Sequence, residues 1–130
     1  MTDVVLALLR QGNRWFLQRR DPDNPVLPGL WEFPGGKVEA GETPEEALSR
    51  ECREEVALIL QAAQPWAIVE GSVRLHLFLV TSADRPRTNL AWGWFTAEEM
   101  VRLPLPPVNA ALLGPLALEG ALAPGPIRPV

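Results

Sequence analysis

The polar and apolar positions along the chain alternate between two periods. Residues 4–9 form an unbroken apolar run, which predicts a buried strand. Gln11, Gly12 and Asn13 predict a turn, and residues 15–20 then read as the second strand of a hairpin. Residues 21–30 carry Pro22, Pro25, Pro28 and Gly29, so they predict a loop. A short extended stretch over 31–34 leads into a glycine loop beginning at Gly35. A helix is expected from Thr43, with Pro44 at its first position and Glu46 completing a capping box. Beyond it, a strand is expected around 66–69, with Pro65 near its start. Residues 73–80 alternate most clearly, with Val73, Leu75, Leu77 and Leu79 on one face and Arg74, His76 and Phe78 on the other. A polar loop over 82–88, a strand over 91–95 and a short helix capped by Thr96 follow. Pro104, Pro106 and Pro107 predict a rigid connector, residues 108–118 a weak helix broken at Gly114 and Pro115, and 124–130 a loose tail. Strands and helices without regular alternation suggest an α/β or α+β protein with a mixed sheet.

The helix that begins at Thr43 changes this picture from fold to chemistry. Glu51, Glu54 and Glu55 stand at i, i+3 and i+4 and share one face. Ala47 lies among them, while Leu48, Cys52 and Val56 form an adjacent apolar stripe that docks on a core. No Lys or Arg is expected to interleave with the three carboxylates, although Arg50 and Arg53 flank them. They repel by roughly 0.2–0.5 kcal/mol per close pair, even on an exposed helix. A hard dication such as Mg2+ or Mn2+ would turn that repulsion into binding. A solvated acidic face is the alternative.

Charge and composition narrow the partners. The 130 residues carry a net charge of -4, which argues against a nucleic-acid polymer as ligand. The length suits one domain over 1–130. No apolar run reaches membrane-spanning length, so no membrane partner is expected and a cytoplasmic location is the default. The one cysteine, Cys52, makes neither an internal disulfide nor a multi-cysteine metal site.

Gly36, Glu42 and the run from Arg50 through Glu51, Cys52, Arg53, Glu54, Glu55, Val56 and Ala57 to Leu58 resemble the Nudix box. That pattern is G-x5-E-x7-R-E-U-x-E-E-x-G-U, with U a bulky aliphatic residue. Cys52 departs mildly from it, since a free cysteine packs as a small hydrophobe. Ala57 replaces the final glycine and costs about 1 kcal/mol if that position needs a positive φ. The entry Trp31-Glu32-Phe33-Pro34-Gly35-Gly36-Lys37 is similar to that of MutT-type nucleoside triphosphate pyrophosphohydrolases.

The resemblance implies the Nudix fold, a mixed sheet between helices, with the box helix in one outer layer and a C-terminal helix in the other. It implies Mg2+-dependent attack of water on a nucleoside triphosphate, giving a monophosphate and pyrophosphate. Glu51, Glu54 and Glu55 would hold metal, with the carbonyl of Gly35 as a further oxygen ligand, and Glu42 would bind metal directly or through water. Arg50 would orient the glutamates. Lys37 and Arg20 are candidates for phosphate contacts. The loop over 88–93, where many MutT-like enzymes have a glutamate, holds no acid. Either Glu54 or Glu55 takes the proton, or the metal suffices, or activity is low. The resemblance leaves monomer or homodimer open.

Base recognition would rest on Phe33, a tryptophan and Asn109. An amide such as Asn109 can donate to O6 and accept from the N7–H that oxidation at C8 creates. Unmodified guanine leaves a mismatch costing about 1–3 kcal/mol when buried. This motivates an 8-oxo-dGTP-sanitising enzyme, while Asn109 as a helix N-cap explains it equally well. A CTP or other pyrimidine nucleotide hydrolase of the same family, and a non-catalytic nucleotide-binding module, are the alternatives. No tyrosine follows the box, and no proline lies about fifteen residues after it, which argues against dinucleoside polyphosphate and ADP-ribose enzymes. His76 and the tryptophans Trp15, Trp66, Trp92 and Trp94 are expected to be structural, with one of Trp92 and Trp94 as the alternative lining of the base pocket.

Overall fold

A computed structural model describes residues 1–106. Asn109, the expected helix over 108–118 and the expected tail lie outside the described residues. Internal contacts gather the described chain into two units, residues 1–9 with 34–88, and residues 10–33 with 89–106.

The first unit is built on β1 (Asp3–Gln11), whose residues up to Leu9 belong to it. Ala7, Leu8 and Leu9 are consecutively buried, so both faces of the strand are covered. This explains the unbroken apolar run. β1 lies parallel to β6 (Arg74–Thr81), in register from Asp3↔Arg74 to Leu9↔Val80. β4 (Gly35–Lys37) pairs antiparallel with β1, and β5 (Ala62–Glu70) antiparallel with β6. The sheet of this unit is therefore mixed. α1 (Pro44–Val56) packs against β4 and buries Ala47, Leu48, Cys52 and Val56.

Two expectations are corrected here. The glycine segment is a strand as well as an approach to the helix. Gly35 lies so close to β1 that a Cβ would collide with the Val5 carbonyl, and only glycine permits that pairing. The strand after the helix starts at Ala62 and takes Pro65 into its interior, with a register shift between Pro65 and Ala67. The missing N–H is tolerated because β5 ends the sheet order, and edges and bulges are where strand prolines occur.

The second unit centres on β2 (Arg14–Arg19). Gly12, at φ +61°, turns the end of β1 into it, with Arg10↔Trp15 in register. β3 (Trp31–Glu32) and β7 (Trp92–Phe95) both pair antiparallel with β2. Trp15, Phe16, Leu17 and Gln18 are fully buried. α2 (Ala97–Met100) follows, opened by a capping box between Thr96 and Glu99. Of the tryptophans expected in a core, Trp15 is there, Trp66 and Trp94 are half-buried, and Trp92 is 50% exposed.

Candidate active site

α1 starts where its sequence directs. Thr43 Oγ1 accepts from Glu46 N–H at 3.1 Å, Glu46 Oε1 accepts from Thr43 N–H at 2.9 Å, and Pro44 is the first helical residue. Its end is equally defined. Ala57 is left-handed at φ 56°, ψ 36°, and its N–H donates to the Cys52 carbonyl. The box position does demand a positive φ, and this chain meets the demand with a residue that carries a Cβ.

Arg50 is the hub of the acidic face. Its Nε donates to Glu42 Oε2 at 2.7 Å and its Nη2 to Glu42 Oε1 at 3.0 Å, a bidentate pair. Its Nη1 donates to Glu51 Oε1 at 2.9 Å and to Glu54 Oε2 at 3.3 Å. Its Nη2 also reaches the Lys37 carbonyl at 3.0 Å, which ties α1 to β4. The expectation that no cation interleaves with the carboxylates is corrected. Arg50 lies at i, i+4 from Glu54 and at i+1 from Glu51, and its long side chain spans both. Three carboxylates hydrogen-bond to this one guanidinium and a fourth, Glu39, lies 3.7 Å from it, so negative charge remains in excess.

The electrostatics follow from that geometry. The Arg50 guanidinium, helped by the Glu39 backbone N–H, holds the Glu42 carboxyl down at about 2 from its ordinary 4.5. The same pairing raises Arg50. Burial, with Glu55 and Glu51 nearby, pushes the Cys52 thiol up to about 12, so it stays protonated and offers no thiolate to a metal.

The remaining candidates are placed as follows. Glu55 Oε2 accepts from the Gly35 N–H at 3.1 Å. A Cβ on Gly36 would lie 2.5 Å from the Glu51 carboxylate, so Gly36 makes the space in which Glu51 lies. Lys37 is exposed at the end of β4. Thus Gly35, Lys37, Glu42, Arg50, Glu51, Glu54 and Glu55 come together in the first unit. Arg20 and Phe33 belong to the second. Arg20 is half-buried and paired, its Nη2 donating to Glu32 Oε2 at 2.8 Å and its Nη1 to the Val26 carbonyl at 3.3 Å. Phe33 is buried at 2% exposure. Gly36 was legible only as a box position, and its contact with Glu51 is a tertiary feature. The Lys37 carbonyl gave no signal at all, since backbone acceptors are the same in every residue.

The donor set fits a hard dication. Glu42, Glu51, Glu54 and Glu55 offer only carboxylate oxygens, and the one thiol of the helix is buried and protonated. Among the described residues no three acidic, histidine or cysteine side chains form a ready-made cage. Glu42, Glu51 and Glu54 turn toward Arg50 instead. Among the described residues no helix is long and apolar enough to cross a membrane.

A glycine strand feeding an acidic helix beside a mixed sheet is the architecture of a Nudix hydrolase. The NUDIX domain matches residues 1–114, and the chain belongs to that family. It is 33% identical over 121 residues to the CTP pyrophosphohydrolase of Escherichia coli, spanning 87% of this chain and 89% of that protein. It is 43% identical over 77 residues to the nucleoside triphosphatase NudI of Escherichia fergusonii, of which that match covers 54%. Among solved structures, MutT of Aliivibrio salmonicida and Vibrio cholerae superposes with a TM-score of 0.81 at 26% identity, covering 91% of this chain and 98% of that one. The solution structure of the E. coli ORF135 protein gives 0.66 at 31% identity, covering 93% and 91%.

Proposed function

We propose that this Nudix hydrolase is a Mg2+-dependent nucleoside triphosphate pyrophosphohydrolase. The observation that carries the reading is the Arg50 hub, which holds Glu42, Glu51 and Glu54 on one side of α1 beside β4. Glu51, Glu54 and Glu55, with the Gly35 carbonyl, would hold the dication. When bound, it would offset the phosphate charge and favour deprotonation of water.

The chain's own groups divide the rest of the work. Arg50 fixes the carboxylates in orientation. Lys37 offers a point charge to a phosphate. Water forms a bond to phosphorus, the bond to the bridging oxygen breaks, and pyrophosphate leaves. Glu54 is the carboxylate best disposed to take the proton, being 60% exposed against 17% for Glu51, with Glu55 oriented by the Gly35 N–H. A cytoplasmic location suits this substrate.

Two base preferences have separate support. The relative named CTP pyrophosphohydrolase, aligned over most of both chains, favours a pyrimidine nucleotide. Asn109, an amide that can donate to O6 and accept from an N7–H, favours 8-oxo-dGTP. A panel of CTP, UTP, dGTP and 8-oxo-dGTP, read by pyrophosphate release with and without Mg2+, tests the proposal. Release should require Mg2+ and should fall about 100-fold or more in Glu54→Gln. Binding of nucleotide without any release in excess Mg2+ would instead make the chain a non-catalytic module.

A further inference from the structure

Glu39 is the carboxylate at the Arg50 hub to which the chemistry above gives no task. It falls among the five unspecified positions between Gly36 and Glu42, so the box pattern assigns it no role. Its backbone is held in place. The Glu39 N–H donates to Glu42 Oε1 at 2.9 Å, and its carbonyl accepts from the Glu42 N–H at 3.0 Å. Gly41, at φ +81°, lets the chain turn between the two. Its side chain is not held. The carboxylate is 66% exposed and lies 3.7 Å from Arg50 Nη1, too far for a hydrogen bond.

Arg50 treats its partners unequally. Nε and Nη2 are committed to Glu42. Nη1 depends on Glu51 at 2.9 Å and Glu54 at 3.3 Å. Those two carboxylates also belong to the set proposed to hold a dication, and a dication repels a guanidinium that shares their oxygens. The Arg50 side chain is only 16% exposed. A cation so covered is costly when it is short of a partner. Among the described residues, the acids within ion-pair reach of Nη1 are Glu39, Glu51 and Glu54. Of these, Glu39 alone has no other duty.

We propose that Glu39 is a positioning residue, the replacement partner of Arg50. Its carboxylate closes onto Nη1 as Glu51 and Glu54 turn toward a dication. Arg50 then keeps its bonds to Glu42 and to the Lys37 carbonyl, and so keeps α1 in place against β4. The backbone bonds to Glu42 anchor the base of the arm, and exposure leaves its end room to swing. The proposal rests on the metal-dependent reading above and deepens it at one residue.

The test titrates Mn2+ alone, by calorimetry, into wild type, Glu39→Gln and Glu39→Asp. A parallel series follows the Arg50 side-chain N–H resonances as Mg2+ alone is added. Glu39→Gln should raise the Mn2+ Kd roughly tenfold, the worth of one charged hydrogen bond. Glu39→Asp keeps the charge but shortens the arm, and should weaken Mn2+ comparably. In wild type the Arg50 Nη resonances should shift with Mg2+ and stay resolved, whereas in Glu39→Gln they should broaden. Without metal, both variants should melt within about two degrees of wild type, because an exposed ion pair contributes little. Equal Mn2+ affinity in wild type and Glu39→Gln overturns this inference alone. So does wild-type affinity in Glu39→Asp beside a weakened Glu39→Gln, since the charge without the reach would then be enough. No binding of Mn2+ by the wild type, with or without CTP, overturns the metal-dependent function on which it rests.

Discussion

Replacing Ala57 with glycine should make this protein more stable. Ala57 is left-handed at φ 56°, ψ 36°, where an L-residue with a Cβ costs roughly 1–2 kcal/mol. Glycine removes that cost but loses about 0.4–1 kcal/mol through the greater freedom of the unfolded chain. The methyl group is exposed, so little packing is lost. The net gain is about 0.5–1 kcal/mol, which for a domain of this size raises Tm by about 2–4 °C. Calorimetric or circular-dichroism melts of Ala57→Gly and Ala57→Val at one pH make the measurement. Valine adds a branched Cβ to the same strained geometry and should lower Tm. The carboxylates are untouched, so pyrophosphate release should be unchanged. A Tm that stays level or falls in Ala57→Gly would refute the reasoning, because the helix end would then not depend on a left-handed residue at 57.

Other outcomes follow from the same geometry. Arg50→Ala releases Glu42, Glu51 and Glu54 together and should lower activity roughly 10- to 100-fold, the usual effect of losing an orienting group, read as kcat in the nucleotide assay. Gly36→Ala brings a methyl to 2.5 Å from the Glu51 carboxylate and should reduce activity in a protein that still folds, whereas Gly35→Ala strikes the Val5 backbone and should lower Tm. Expression, melting and activity of the two separate these effects. Glu42 titrates at about 2 folded against an ordinary 4.5, so its contribution to stability is complete above about pH 4.5 and is lost as the pH falls toward 2. An acid-unfolding series should show a shallower loss over that window in Glu42→Gln than in wild type. Cys52, buried and held near 12, should react with a thiol reagent at neutral pH only after unfolding, and rapid labelling of the native protein would contradict its placement.

Most of the strands and both described helices were legible because each carries a local signal. Thr43, Pro44 and Glu46 cap α1 through groups three residues apart, and Thr96 with Glu99 does the same for α2. The alternation over 73–80 appeared as β6 within a residue at either end. The strand character of 35–37 was hidden, because glycine has no propensity for a sheet and pairs here only through its close approach to Val5. The interior position of Pro65 was hidden too, since whether a strand is an edge depends on its neighbours. At the site, the glutamate spacing was visible, but the reach of Arg50 was not.

Order along the chain determined which groups are available: a capped helix, carboxylates on one face, a cysteine on the adjacent apolar stripe and an alanine at the helix end where the box has glycine. Those properties depend on residues within a turn or two of one another. Folding settled what the groups do to each other. It brought the Lys37 carbonyl to Arg50 and placed the Glu51 carboxylate against Gly36, and it set Trp92, Gln18 and Glu32 in one row. Such contacts join segments far apart in the chain, and their energies depend on distances that local propensity does not encode.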